Sequence, residues 1–236
     1  MKNKYLPSFT NREKLLWLFS CSTIILSFLF FNICNIITLA ASLIGVTAII
    51  LNAKGTPLGQ ALMIIFSLLY GIISYDFKYY GEMLTYLGMT MPMAAAALVS
   101  WIKNPYKGNK SETAAVVAVN RISLSEWWFL AALSLAVTAL FYFVLKIFGT
   151  ANIIPSTVSV TTSFIAVYLT FRRSPYFSLG YAANDIVLII LWALALKENS
   201  SYLSVLICFV MFWINDIYAF FAWRKMEKLQ HMHAAA

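Results

Sequence analysis

The sequence predicts an all-α polytopic membrane protein with eight transmembrane helices. Hydrophobic residues fill 61% of the 236 positions and charged residues only 11%, whereas about a quarter of a typical soluble domain is charged. The apolar residues form eight long runs, and most basic residues lie in the short segments between these runs. The net charge of +8 therefore builds no basic face on a folded domain, which excludes nucleic acid as a partner.

Each apolar run is close to the length that crosses a bilayer, about 20 residues with a lower limit near 17. Glycine, proline and polar residues separate the runs. The predicted spans are Leu15–Ile33, Ile36–Leu51, Pro57–Tyr75, Leu84–Trp101, Trp127–Phe148, Ser156–Phe171, Tyr176–Leu196 and Ser201–Trp223. The first run is longer than the apolar core of a signal peptide, so we expect it to remain as a transmembrane helix.

The distribution of basic residues predicts the orientation in the membrane. With eight spans, fourteen of the seventeen Lys and Arg residues fall on one side. Loops rich in Lys and Arg face the cytoplasm, so both termini are predicted to be cytoplasmic. The one long loop, from Lys103 to Glu126, lies on the same side and is predicted to be a surface linker.

Two motifs recur along the chain and predict an internal repeat. The basic segment before Pro57 resembles the one before Pro175, 118 residues later, and Trp101 resembles Trp223, 122 residues later. Corresponding helices then point the same way, as in transporters built from parallel repeats. The predicted parts are an N-terminal tail with an extra helix (1–35), a three-helix bundle (36–103), a cytoplasmic loop with a linker helix (104–148), a second three-helix bundle (149–225) and a cytoplasmic tail (226–236) that could include a tag remnant.

The last two spans each contain an Asn-Asp pair, which predicts a polar cavity with aromatic walls. An ionisable residue inside an apolar span costs roughly 2.5 to 3.5 kcal/mol on insertion scales. Such residues can simply hydrogen-bond neighbouring helices, but the Tyr and Trp residues nearby favour a binding site for a flat solute. The predicted substrate-binding residues are Asn184, Asp185, Tyr181, Trp192, Asn215, Asp216, Tyr218, Phe177, Phe66 and Tyr70.

The first half of the predicted repeat has no such pairs, and a helix break is expected there at Pro92. No catalytic motif occurs in the spans, and the three cysteines lack the spacing of a metal site. We therefore expect no catalytic residue, no metal and no cofactor. The expected partners are a small-molecule solute and the lipid bilayer, and assembly into a homo-oligomer stays open.

Three motifs resemble the PnuC family of vitamin transporters: the run Leu69–Ile73, the segment Lys78–Glu82, and Asn215–Phe220 followed by Trp223. The resemblance covers residues 36–225. It implies two three-helix bundles joined by one helix, a plan similar to that of the SWEET sugar transporters. It also implies a transporter in the plasma membrane of a bacterium that carries a vitamin or nucleoside-like solute, nicotinamide riboside first of all, by facilitated diffusion with alternating access.

The chain departs from the family pattern and is predicted to be a divergent member. Family members that carry nicotinamide riboside have a Trp-x-x-Trp motif at the start of the seventh helix, and the matching residues here are Phe177 and Gly180. Phe66 replaces an asparagine of the first bundle. The alternatives are a proton-coupled transporter of thiamine, riboflavin or a deoxyribonucleoside, and a membrane binding subunit without transport activity.

Overall fold

The computed structural model describes residues 8–31, 36–76, 79–106, 116–150, 152–197 and 200–235. Regular structure in these ranges is helical, apart from one isolated β-bridge between Pro105 and Val117. The helices are α1 Asn11–Phe30, α2 Ile36–Ala53, α3 Pro57–Asp76, α4 Tyr80–Thr85, α5 Met91–Lys103, α6 Leu124–Ile147, α7 Ile153–Phe171, α8 Phe177–Ala195 and α9 Leu203–Ala235. A π-helical turn, Tyr86–Thr90, joins α4 to α5, and a 3-10 turn, Ser200–Tyr202, precedes α9.

Eight helical segments in the described residues are long and apolar enough to cross a membrane. The predicted fold class and the predicted number of spans are therefore confirmed. Helices α4 and α5 with the turn between them form a single segment, Tyr80–Lys103. Helix α9 continues to Ala235, so the predicted tail after Trp223 is helical at least to that residue.

The fourth span is not broken at Pro92, where the sequence predicted a helix break. Proline cannot donate a hydrogen bond to the carbonyl four residues before it. The π turn adjusts the backbone just before this point, because the N–H of Met91 bonds to the carbonyl of Tyr86, five residues back. Such turns are frequent at functional sites, and two residues of this one, Tyr86 and Thr90, line the cavity described below.

The two basic segments between spans have the same backbone conformation. We call them the first hinge (Lys54–Thr56) and the second hinge (Arg172–Ser174). Gly55 and Arg173 have φ angles of 65° and 58°, and their N–H groups bond to carbonyls three residues earlier at 2.8 and 3.0 Å. The following N–H bonds five residues back in both hinges, as in a Schellman motif. These hydrogen bonds recur at a shift of 118 residues and support the repeat, which stays a prediction.

A short extended segment, residues 116–120, lies across both hinges, and we call it the strap. Val117 is fully buried, and its N–H donates to the carbonyl of Gly55 at 2.9 Å. The N–H of Asn120 donates to the carbonyl of Arg173 at 3.0 Å. One piece of backbone therefore bonds to the left-handed residue of each hinge. We call the end of the bundle that carries the hinges and the strap the basic end.

Gln230 of α9 holds the strap from its other side. Its amide oxygen lies 2.8 Å from the N–H nitrogen of Val119, and its amide nitrogen lies 3.0 Å from the carbonyl oxygen of Val117. The prediction of a surface linker is therefore wrong for this part of the Lys103–Glu126 loop. Residues 107–115 lie outside the described residues.

A buried ion pair ties the start of α1 to the rest of the bundle. Both carboxylate oxygens of Glu13 lie 3.1 Å from Nζ of Lys54 in the first hinge. Glu13 also accepts hydrogen bonds from the hydroxyl of Tyr218 at 3.0 Å and from the N–H of Thr10 at 2.7 Å. The side chain of Thr10 accepts from the N–H of Glu13 in return, which makes a capping box.

Gly180 marks a close crossing of α7 and α8. A Cβ atom at this position would lie 2.9 Å from Cα and 3.1 Å from N of Ala166, which are backbone atoms that cannot turn aside. We expect Gly180→Val to lower the melting temperature of the detergent-solubilised protein, because overpacking costs about 1 to 3 kcal/mol. Gly88→Ala is the matched control, since nothing lies within 4 Å of its Cβ position. Equal melting temperatures for Gly180→Val and the wild type would contradict this crossing.

Candidate functional site

A small cavity lies inside the bundle, between α2, α3 and the π turn on one side and α7, α8 and α9 on the other. Its volume is about 30 Å³, which is room for one or two water molecules. No Lys, Arg or His is found among the described residues that line the cavity. The lining residues are Gly45, Ile49, Asn52, Met63, Phe66, Tyr86, Thr90, Ser163, Tyr181, Asn184, Asp185, Phe212 and Asp216.

Five of the ten predicted binding residues meet at this cavity. Helix α8 contributes three of them, Tyr181, Asn184 and Asp185, because residues three and four apart share a helix face. Phe66 comes from α3 and Asp216 from α9. The cavity is therefore built from both predicted bundles, with its ionisable side chains on the second.

Asn184 is held by a ring of hydroxyl groups from α7. Its side-chain oxygen accepts hydrogen bonds from Ser159 at 3.1 Å, from Thr162 at 3.0 Å and from Ser163 at 3.0 Å. A side-chain amide carries two N–H donors beside its oxygen. With the oxygen fixed by α7, the orientation of the amide relative to the cavity is fixed as well.

Asp185 and Asp216 form a carboxyl pair between α8 and α9. The two side chains interact directly with each other, and only 4% and 3% of their surfaces are exposed. Oδ2 of Asp185 has no hydrogen-bond partner among the described residues. Buried carboxyl oxygens are normally paired or hydrogen-bonded, so this atom is available to a bound ligand.

Aromatic rings from α3, the π turn and α9 form a wall of the cavity. The ring of Phe66 meets those of Tyr86 and Phe212 edge to face, at centroid distances of 5.7 and 5.6 Å. Phe66 also stacks on Tyr70 at 5.5 Å. Tyr70 and Trp192, both predicted to bind substrate, stand one layer behind this wall, where the indole N–H of Trp192 donates to the hydroxyl of Tyr70 at 3.0 Å.

Two predicted binding residues, Asn215 and Tyr218, are absent from the described lining because they face α1. The amide nitrogen of Asn215 lies 2.8 Å from Oγ of Ser20 and 2.7 Å from the carbonyl oxygen of Met211. Tyr218 bonds to Glu13. Adjacent helical residues point about 100° apart, so Asp216 reaches the cavity while Asn215 beside it does not.

Phe177, the last of the ten, belongs to a cluster of buried rings near the basic end. We call Trp101, Phe177 and Trp223 the latch. Phe177 lies 6.3 Å from Trp101 and 4.9 Å from Trp223 between ring centroids. The indole N–H of Trp101 donates to the carbonyl of Thr170 at 2.9 Å, and that of Trp223 donates to the carbonyl of Asn52 at 2.7 Å. Each tryptophan therefore bonds to the opposite predicted bundle, just before a hinge.

Sequence reasoning missed the polar residues that the first bundle contributes. Asn52 lines the cavity, and its side-chain oxygen accepts from the amide of Gln60 at 2.9 Å. Asn52 directly follows the second predicted span and Gln60 lies near the start of the third. A search for Asn-Asp pairs inside the spans could therefore not find them. Glu82, at the end of the Lys78–Glu82 motif, is also buried, with only 4% of its surface exposed.

A larger cleft, of about 680 Å³, lies at the basic end between the first turn of α1 and the last turns of α9. Tyr218 is the only one of the ten predicted residues among the described residues that line it. The smaller cavity has the carboxyl pair, the amides and the aromatic wall together. It is therefore the better candidate for the solute site.

Comparisons with known proteins agree on one family. A family model described as nicotinamide mononucleotide transporter matches residues 35–225. The nicotinamide riboside transporter PnuC of Neisseria mucosa is 29% identical over 190 residues, which cover 80% of this chain and 72% of the relative. A crystal structure of the vitamin B3 transporter PnuC aligns with a TM-score of 0.84 and 25% identity, covering 94% of each chain.

These matches confirm the resemblance to PnuC that the motifs predicted. The family model spans all helices from α2 to the residues just after the latch, and the structural match extends over nearly the whole chain. The chain belongs to the nicotinamide mononucleotide transporter family, and it is a multi-pass membrane transporter.

Proposed function

We propose that the chain carries nicotinamide riboside across the plasma membrane of a bacterium by facilitated diffusion with alternating access. The basic end faces the cytoplasm in this proposal, because fourteen of the seventeen Lys and Arg residues fall on that side. The names of the relatives support the solute. The observation that carries the proposal is a buried cavity with aromatic walls and polar side chains, lined by residues of both predicted bundles.

The chemistry of the cavity suits a flat ring attached to a sugar. Phe66, Tyr86 and Phe212 offer ring surfaces on which a pyridine ring can stack. Asn184 and Asn52 bring amide groups that can hydrogen-bond a carboxamide or ribose hydroxyls. The carboxyl pair adds acceptors for further hydroxyl groups.

The cavity must enlarge before it can hold this solute. Its volume is about 30 Å³, whereas sites for small molecules usually measure about 300 to 1,000 Å³. The proposed cycle therefore needs a conformation in which this cavity is larger than about 30 Å³. In the proposed cycle the bundles separate at the basic end, where the latch joins them, and the hinges permit this movement.

Uptake into liposomes tests the proposal directly. Purified protein is reconstituted, the membrane potential is clamped at zero, and labelled nicotinamide riboside is compared with thiamine, riboflavin and deoxyribonucleosides. We expect nicotinamide riboside to equilibrate to the outside concentration and the others to enter more slowly. Absence of uptake for the whole panel, with protein that still melts cooperatively, would overturn the proposal.

Proton-coupled transport is a second candidate, and the carboxyl pair is the observation that favours it. A proton carried by Asp185 would drive accumulation above the outside concentration when a pH gradient is imposed. Asp185→Asn should then abolish accumulation and preserve exchange of labelled for unlabelled solute. Equal accumulation in the variant and the wild type would exclude this mechanism.

A direct role for Asn184 can be separated from its role in joining helices. We expect Asn184→Ala to weaken nicotinamide riboside binding by about 10-fold or more, because about 1.4 kcal/mol of lost hydrogen bonding has that effect. Ser159→Ala removes one bond to the same amide, but Ser159 is not among the lining residues. The affinity of the Ser159→Ala variant for nicotinamide riboside, measured by calorimetry, should stay within about 3-fold of the wild-type value. Equal losses in both variants would show that Asn184 acts only through helix packing.

A further inference from the structure

We propose that the Asp185–Asp216 pair is the counter-charge for a cationic ring, and that the transporter selects solutes whose aromatic ring carries a fixed positive charge. This inference rests on the proposed function, because it assigns the chemical class of solute that the same cavity takes. Nicotinamide riboside belongs to that class, since its ring nitrogen is quaternary.

The carboxyl pair places acidic groups in the bundle interior with no basic residue to offset them. The described lining contains no Lys, Arg or His, and the salt bridges among described residues involve Glu13, Glu126 and Glu227 only. A carboxylate inside a membrane span normally has a partner. A cation in the cavity would be that partner. Loss of one proton from the pair would leave one negative charge, which would match one fixed positive charge.

The hydrogen bonds of Asn184 and Asp185 differ, although the two residues are adjacent in the sequence. Asn184 receives three hydroxyl donors from α7, so its oxygen is fully satisfied. Asp185, the next residue, is equally buried, but its Oδ2 has no partner among the described residues. Asp185 contacts Asp216 of α9, and it also lines the cavity with one carboxylate oxygen unbonded.

The aromatic wall supplies a second attraction for a positive ring. Phe66, Tyr86 and Phe212 line the same cavity as the carboxyl pair. Ring faces attract cations by about 0.5 to 1 kcal/mol at exposed sites and more where water is excluded. Acids and aromatic rings around one cavity form a site that favours a quaternary nitrogen over a neutral ring of the same shape.

Two forms of one ligand test the proposal without any mutation. Nicotinamide riboside and its 1,4-dihydro derivative share the sugar and the carboxamide, but the reduced ring is neutral. Calorimetry on the detergent-purified wild type is expected to give a dissociation constant at least about 10-fold higher for the reduced form. Equal constants would overturn the counter-charge and leave the proposed function intact. Binding of neither form, by protein that melts cooperatively, would overturn both.

Three variants test whether the preference for the cationic ring depends on Asp185 and Asp216. Asp185→Asn and Asp216→Asn should each reduce the preference for the cationic form to within about 3-fold, because each removes a carboxylate from the cavity. Glu82→Gln is the matched control: Glu82 is also a buried carboxyl, with only 4% of its surface exposed, but it is not among the lining residues. It should keep the wild-type preference. Wild-type preference in both aspartate variants, or its loss in Glu82→Gln alone, would contradict the assignment.

Discussion

The double variant Trp101→Phe and Trp223→Phe is expected to open the basic end of the cavity more often than the wild type does. Phenylalanine keeps the ring packing of the latch but cannot donate to the carbonyls of Thr170 and Asn52. At about 0.5 to 1.5 kcal/mol for each lost hydrogen bond, the equilibrium between closed and open states shifts by about 1 to 3 kcal/mol, or roughly 5- to 150-fold.

The shift can be measured as the labelling rate of a cysteine in the cavity. Thr90→Cys, in a chain whose native cysteines are replaced by serine, is treated with an impermeant maleimide from the side of the basic end. Labelling of the double variant should be faster by the predicted factor. Trp17→Phe is the matched control, since Trp17 also bonds across helices, to Thr47 at 3.1 Å, but lies outside the latch. Equal acceleration by Trp17→Phe would show that the latch has no special role.

Loss of the Glu13 carboxylate is expected to give the largest change in stability. Glu13→Ala leaves Lys54 without its counter-ion and removes the acceptor for Tyr218 and for the N–H of Thr10. Removal of one partner from a buried pair costs about 3 to 5 kcal/mol. We expect about 2 to 4 kcal/mol here, because 22% of the Lys54 side chain is exposed.

A double-mutant cycle with Lys54→Met checks the cause of that loss. Removal of both charges avoids the unpaired ion that each single variant leaves. The double variant should therefore melt at a higher temperature than the sum of the two single effects predicts. Strict additivity of the two losses would mean that the ion pair contributes little, and that Glu13 acts mainly as a capping residue.

Much of the fold could be predicted from sequence because each apolar run ends at a residue with a strong backbone preference. Gly55 and Pro57 mark one such end, and Pro175 marks another. The π turn before Pro92 could not be predicted, because several local adjustments can accommodate a proline in a helix. The strap was missed for another reason: its hydrogen bonds join residues that are distant in the sequence.

The kinds of residue in the site could be predicted from the sequence, but the direction in which each side chain points could not. A helical sequence gives the angle between neighbours, so Asn215 and Asp216 could be placed about 100° apart. It does not tell which of the two faces the cavity, because the rotation of the whole helix depends on its neighbours. Here the face of α9 that carries Asn215 packs against α1, where Asn215 bonds to Ser20. Asp216 therefore faces the cavity.

The structure explains why Phe177 and Gly180 stand where the family pattern has the two tryptophans of Trp-x-x-Trp. Gly180 lies against the backbone of Ala166, so α7 and α8 could not pack this closely around a tryptophan at that position. Phe177 is fully enclosed by the rings of the latch. Both positions serve helix packing in this chain, and the proposed solute contacts are Asn184 and the carboxyl pair.

The strap makes the two hinges unequal. The two hinges are alike in backbone and belong to the two halves of the predicted repeat, but the strap contacts them through different residues. Val117 bonds to one hinge and Asn120 to the other. The two hinges are therefore chemically distinct, and equivalent substitutions in them should have unequal effects on transport.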